Sequence, residues 1–168
     1  MACKAGLGGR LFRLSQQQIG FMESGVSITA ASHDTENRPM LGRMMGCRVA
    51  ADGSRVILFL SRAKYPFLLD AIRRSGRVAA SFTEPSSNKS IQVKGEDAGL
   101  VALEAGDPER IAAHFDLFAA ELKRINIPRV LAEAVYASHQ CDLAALAFSP
   151  VMAFIQTPGA RAGSAMGA

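Results

Sequence analysis

The chain reads as an α+β protein that is mainly β: about six short antiparallel strands closed into a barrel, with helices packed outside. Three observations lead there. Asp52-Gly53 stands between two apolar runs, PMLGRMMGCRV and RVILFLS, a strong hairpin signal. Val26, Ile28 and Ala30 alternate with Ser27, Thr29 and Ala31, the period of a strand buried on one side. A second polar loop, EPSSN at 84–88, separates RVAASF from SIQVKG. Short strands joined by tight turns must close or cover their edges to stay soluble, which favours a barrel over an open sheet.

Residues 1–13 read as a loose arm. Gly6, Gly8 and Gly9 come too early, with no strand before them, to form a dinucleotide loop. Ser15 is placed to cap a short helix in which Ile19 and Met22 share a face, ending near Gly25. A polar loop, SHDTENRP, follows the 26–31 strand; His33 and Asp34, without a partner serine, read as part of a turn. Pro66 suits the first position of a helix over 66–75 and Gly76 the position after its end, with Arg73 and Arg74 opposing the dipole in the last turn. Phe67, Leu68, Leu69 and Ile72 are its expected buried face.

Beyond Gly106, a helical segment spans 107–137. Asp107-Pro108-Glu109 starts a helix whose Ile111, Phe115, Phe118, Leu122 and Ile125 fall on one stripe. His114, next to Phe115, reads as a packing or surface residue rather than a catalyst. A second helix follows Pro128 and carries Val130, Leu131 and Val135. DLAALAFSPVMAFIQT reads as a closing strand pair or one bent strand kinked at Pro150. Residues 158–168 read as a flexible tail, mobile or folded over a partner subunit.

With 168 residues and 49% apolar content, the chain suits one domain, 1–168, with a substantial core. A net charge of +4 favours anionic partners. Trp is absent and aromatics are few, so a stacking platform for nucleic acid lacks its parts. Three scattered cysteines, at 3, 47 and 141, do not make a disulfide framework. His139-x-Cys141 supplies two ligand types without a second pair, which argues against a metal site. The N-terminus lacks a long apolar stretch and no 18-residue apolar run occurs, so a cytoplasmic protein without a membrane partner is expected. No nucleophile with an adjacent base and no carboxylate pair is visible, so no catalytic residue is assigned.

The segment from 39 to 64 carries the chemistry. One strand bears Arg43 and Arg48; the next ends in Ser61, Arg62 and Lys64. Guanidinium forks match phosphate oxygens two at a time, so a phosphate-bearing ligand is the natural partner of such a set. Five residues apart, Arg43 and Arg48 point to opposite faces of a regular strand. Gly42 and Gly46 soften that objection, since glycine within a strand often marks a bulge or a close backbone approach. Spacing alone leaves open whether these charges form a phosphate site or simply face solvent.

From about Ser15 to Ala98 the order of elements resembles the pyridoxamine 5'-phosphate oxidase-like family of FMN-binding split barrels. That order is helix, strand, strand with an Arg-x4-Lys segment, turn, strand ending in Thr or Ser, helix, strand, and strand ending in Gly. Here the pieces are Arg43 to Arg48, Asp52-Gly53, LFLS at 58–61, the 66–75 helix, RVAASF and SIQVKG. AFSPVMAFIQTPGARAG is similar to a closing segment of some bacterial members. The resemblance implies a split β-barrel, FMN as cofactor, and a homodimer with the cofactor between two barrels. It implies a phosphate held by Arg43 or Arg48 with Ser61 and Lys64. The flavin ring would run along Met44, Met45 and Cys47 beside Leu60, with Lys89 and Ser90 at its far side. Two departures stand out: Ala63-Lys64-Tyr65-Pro66 replaces the oxidase's Ser-Arg-Lys run, and the C-terminus is Gly- and Ala-rich instead of arginine-rich. The oxidase reaction is therefore not carried over. The implied function is a flavin-dependent oxidoreductase whose substrate is open. Two alternatives stay open beside it: a non-enzymatic module for flavin, deazaflavin or haem, and a cofactor-free barrel acting in assembly or interaction.

Overall fold

The computed structural model describes residues 12–137 and 142–167. The arm expected over 1–13 lies, through residue 11, outside the described residues, as do Cys3, His139 and Cys141. Ser15 and Gln18 cap one another, the Ser15 Oγ accepting from the Gln18 N–H at 3.3 Å and the Gln18 amide oxygen from the Ser15 N–H at 2.7 Å. This capping box starts α1 (Gln16–Met22). The chain then enters β1 (Ser27–His33).

Nine strands form two antiparallel sheets among the described residues. The first sheet has the order β2 (Pro39–Met44), β1, β5 (Val78–Thr83), β6 (Ser90–Gly95), β9 (Met152–Ile155). The second has the order β3 (Gly46–Val49), β4 (Val56–Ser61), β8 (Leu143–Phe148), β7 (Gly99–Val101). The expected mainly β barrel with outer helices is what forms. About six strands was an undercount, because extended runs change sheet midway. β2 and β3 are one run broken at Met45-Gly46, and Pro150 divides β8 from β9 and delivers them to different sheets. The three-residue edge strand β7 has no signal in the alternation pattern.

The β3–β4 hairpin pairs Val49 with Val56. Its connection is longer than a two-residue Asp-Gly turn: the Gly53 N–H donates to Ala50 and the Ala50 N–H to Arg55, both at 2.8 Å. The Leu14 N–H also donates to Gly53 at 3.1 Å, tying the entry of the chain to this loop.

Inside the barrel, Ile28, Met44, Leu58, Leu60, Phe82, Val93 and Phe148 are fully buried. α2 (Pro66–Ser75) seals this core with Leu68, Leu69 and Ile72, and Gly76 closes it in the left-handed conformation with φ 68°. Phe67 does not join that face and is 75% exposed. It lies about 100° round the helix from Leu68, on the side away from Leu69.

A second core lies outside the second sheet. α3 (Asp107–Arg124) and α4 (Arg129–Ala137) set Ile111, Phe118, Ala132 and Tyr136 against Met45, Ile57, Phe59, Ala145 and Ala147. Val130, Leu131 and Val135 face away from it; Ala132 and Tyr136 make the contact. The tail expected to be flexible instead folds back on β9. Phe154 bridges to Ala165, the Met166 N–H donates to Ala153 at 2.8 Å, and the Met166 side chain packs on the barrel core.

Candidate functional site

Gly46 sits at φ 148°, a backbone that side chains with a Cβ rarely adopt. The Met45 N–H there donates to Phe59 at 2.7 Å. Met44, Cys47 and Val49 face the barrel core while Met45 joins the outer one, so one extra residue is accommodated as a bulge. The bulge resolves the parity of the two arginines. Arg43, Met45 and Arg48 all stand on the outer side.

The two guanidiniums nevertheless have different fates. Arg48 grips Asp107 through Nε at 3.1 Å and Nη2 at 3.4 Å, and reaches Glu104 at 3.0 Å. Asp107, the first residue of α3, is 1% exposed. Arg43 has no carboxylate partner among the described residues; its Nη1 donates to the Ser27 Oγ at 3.0 Å. Tyr136 lies beside it: burial pushes its phenol up and Arg43 pulls it the other way.

Ser61 ends β4, buried, and its Oγ accepts from the Lys64 N–H at 3.3 Å. The turn into α2 docks on β2, since a Cβ at Gly42 would meet the Tyr65 ring at 2.9 Å. The turn that carries Lys64 thus lies against the inner side of β2, next to the residue that precedes Arg43. Across the first sheet, a row of hydroxyls leads away from Arg43. Ser27 stands opposite Thr83 in the β1–β5 register, and the Thr83 and Ser90 hydroxyls are 2.7 Å apart. Lys89 lies at the far end, its ammonium 4.7 Å from the centre of the Phe21 ring.

Met44 and Leu60 are fully buried in the barrel, and Cys47 is buried with its Sγ donating to Met22 at 3.2 Å. Burial pushes the Cys47 thiol up, with Glu23 adding to the shift, so it stays protonated. None of these three side chains points outward.

The outer side of Met45 to Arg48 is covered by α3. A Cβ at Gly46 would lie 3.2 Å from the His114 Cβ, and one at Gly25 only 2.3 Å from the Leu117 carbonyl carbon. Gly25 lets the α3 backbone approach the turn before β1, and Gly46 makes room for the His114 side chain. His114 is 5% exposed. Burial lowers its pKa to about 4 against a hydrogen bond with the Val26 backbone, and its Nε2 has no partner among the described residues.

No family model matches this chain. No curated protein matches it either. Solved structures do. Group A Streptococcus HupZ, in a tagged form, aligns over 89% of this chain and 99% of its own with 14% identity and a TM-score of 0.53. A Lactobacillus delbrueckii protein provisionally described as a pyridoxamine 5'-phosphate oxidase aligns over 84% of this chain and 93% of its own, with 15% identity and a TM-score of 0.51. The fold is the pyridoxamine 5'-phosphate oxidase-like split barrel.

Within this split barrel the residues fit FMN at one end and not at the other. Arg43, without a carboxylate partner among the described residues, Ser61 and Lys64 are of the residue types a phosphate calls for. The strip along 45–48 is occupied by the chain's own α3. Ser27 and Thr83 escaped sequence reasoning because only strand register aligns them with Arg43 and Ser90. Asp107 was legible as a helix start but not as the partner of Arg48. Among the described residues, no group of three or more His, Cys, Asp or Glu gathers to hold a metal. No helix there is long and apolar enough to cross a membrane.

Proposed function

We propose that the protein is an FMN-binding split barrel of the flavin-dependent oxidoreductase type. One observation supports this above the others: Arg43, without a carboxylate partner among the described residues, donates to Ser27 at the head of a hydroxyl row through Thr83 and Ser90. Arg43, Ser61 and Lys64 would hold the phosphate. Ser27, Thr83 and Ser90, with Lys89 beyond them, would line the rest of the molecule on the outer face of the first sheet. Met44, Cys47 and Leu60 would contribute backbone only. FMN would supply the redox chemistry through its ring, while the chain binds and orients it.

A homodimer belongs to this proposal. The outward side chains of β1 and β5 are small (Ser27, Thr29, Ala31, Ala79, Ser81 and Thr83) and half-buried. Neither hydrophobic cluster is built on that face. A flat surface of small residues lets a second barrel approach closely and enclose a ring between the two.

A second reading, a barrel without cofactor, is favoured by the Arg48–Asp107 pair and by α3 over 45–48. An absorbance spectrum of protein purified from its native host separates the two. Flavin bands, with NAD(P)H oxidation and a solution mass twice that of the chain, support the first reading. A colourless protein that takes up no added FMN leaves the second.

A further inference from the structure

Between α2 and the β7–β8 pair the structure leaves a recess over the barrel core. β7 is the three-residue edge strand of the second sheet, beside β8. The recess is a cavity of about 450 Å³. Its floor is made of core residues, Leu69, Ile72, Ala98 and Leu146, and Leu100, opposite Leu146 in register, forms a half-exposed wall. Polar side chains stand only at the mouth: Arg62, Asp70 and Arg73.

The mouth holds more positive than negative charge. Asp70 is shared between Arg73 and Arg74, at 2.7 Å from each. Arg62 is half-exposed and its pairing with Asp142 is long, at 3.8 Å. Of the lining residues two guanidiniums, Arg62 and Arg73, thus stand against one carboxylate, Asp70, and Arg62 is the less engaged.

We propose that this slot binds an amphipathic monoanion, an unbranched acyl chain bearing one carboxylate. The chain would displace water from the apolar floor, and the carboxylate would meet Arg62 at the mouth. Cavities of this size hold small molecules, with apolar walls supplying affinity and a few polar groups setting orientation. None of the cavity's residues is among those proposed to hold the phosphate, although Arg62 adjoins Ser61 in the chain.

Calorimetric titration of the full chain with decanoate, decanol and decyltrimethylammonium, each below its micelle concentration, tests it. Saturable one-to-one binding of decanoate, stronger than decanol and with no binding of the cation, is expected. Arg62→Glu, at an exposed position, should weaken decanoate about three- to tenfold and leave decanol unchanged. Leu100→Trp, which enlarges a half-exposed wall residue, should abolish binding of both while the melting temperature holds. Equal binding of all three amphiphiles, or affinity for decanoate untouched by Arg62→Glu, would overturn the proposal, as would no saturable binding at all. Binding that survives Leu100→Trp in the folded protein would place the ligand elsewhere and overturn it too.

Discussion

The Arg48 guanidinium holds the buried Asp107 carboxylate by two hydrogen bonds, at 3.1 and 3.4 Å, and so pins the start of α3 to β3. Asp107 also accepts from the Glu104 N–H at 2.8 Å, closing the turn that leads into the helix. Both members of the pair are therefore committed to the fold.

Removing one partner strands the other charge. Asp107→Ala or Arg48→Ala should each destabilise the protein by about 3 kcal/mol. The double replacement by Leu should recover much of that loss. Urea unfolding of the three variants measures it, and a double variant as unstable as the sum of the singles would contradict the pairing.

The close approach of α3 rests on glycine. Gly25→Ala would drive a methyl into the Leu117 backbone, and Gly46→Ala adds a methyl against His114 on a backbone at φ 148°. We expect Gly46→Ala to cost about 2 kcal/mol and Gly25→Ala more. Gly99→Ala, where nothing lies within 4 Å, should be nearly neutral. Thermal melts should place Gly25→Ala lowest, Gly46→Ala next and Gly99→Ala nearest the wild type.

These contacts mark where sequence reasoning stops. The ends of α2 were legible because Pro66 and Gly76 act locally, and the bulge was foreshadowed by Gly46. The burial of Met45 and Arg48 was not, because their cover arrives from a helix some sixty residues later. Alternation along one strand shows which side is polar, not which element will lie upon it. The same limit explains Phe67 and the tail: apolar character is written in the residue, whereas its neighbours are set by topology.

His114 gives the protein an acid sensitivity of defined range. Its imidazole is buried neutral with a pKa of about 4, whereas in the unfolded chain it takes up a proton near pH 6.5. Stability is therefore full above about pH 6.5 and declines as pH falls toward 4, by at most about 3 kcal/mol. Asp34, Asp52 and Asp70 are held below the usual carboxylate range by hydrogen bonds from Arg38, from Ser54 and Arg13, and from Arg73 and Arg74. Their effect begins only below about pH 4. Urea midpoints between pH 7 and 4.5 should fall in the wild type and stay flatter in His114→Leu.

The two arginines of the 43–48 segment should separate in cofactor binding. If Arg43, Ser61 and Lys64 hold the FMN phosphate, Arg43→Ala removes a charge-assisted contact of about 1.5–3 kcal/mol. FMN affinity should then fall roughly ten- to a hundredfold. Arg48 spends its donors on Asp107 and Glu104, so Arg48→Ala should lower stability and leave FMN affinity in the folded protein nearly unchanged. Arg74→Ala, paired with Asp70 at the end of α2, should change neither affinity nor cofactor content. Flavin fluorescence titration reads all three under conditions where each variant is folded. Equal losses in all of them would reduce the attraction to diffuse positive charge, and no loss at Arg43 would shift the balance to a barrel that works without flavin.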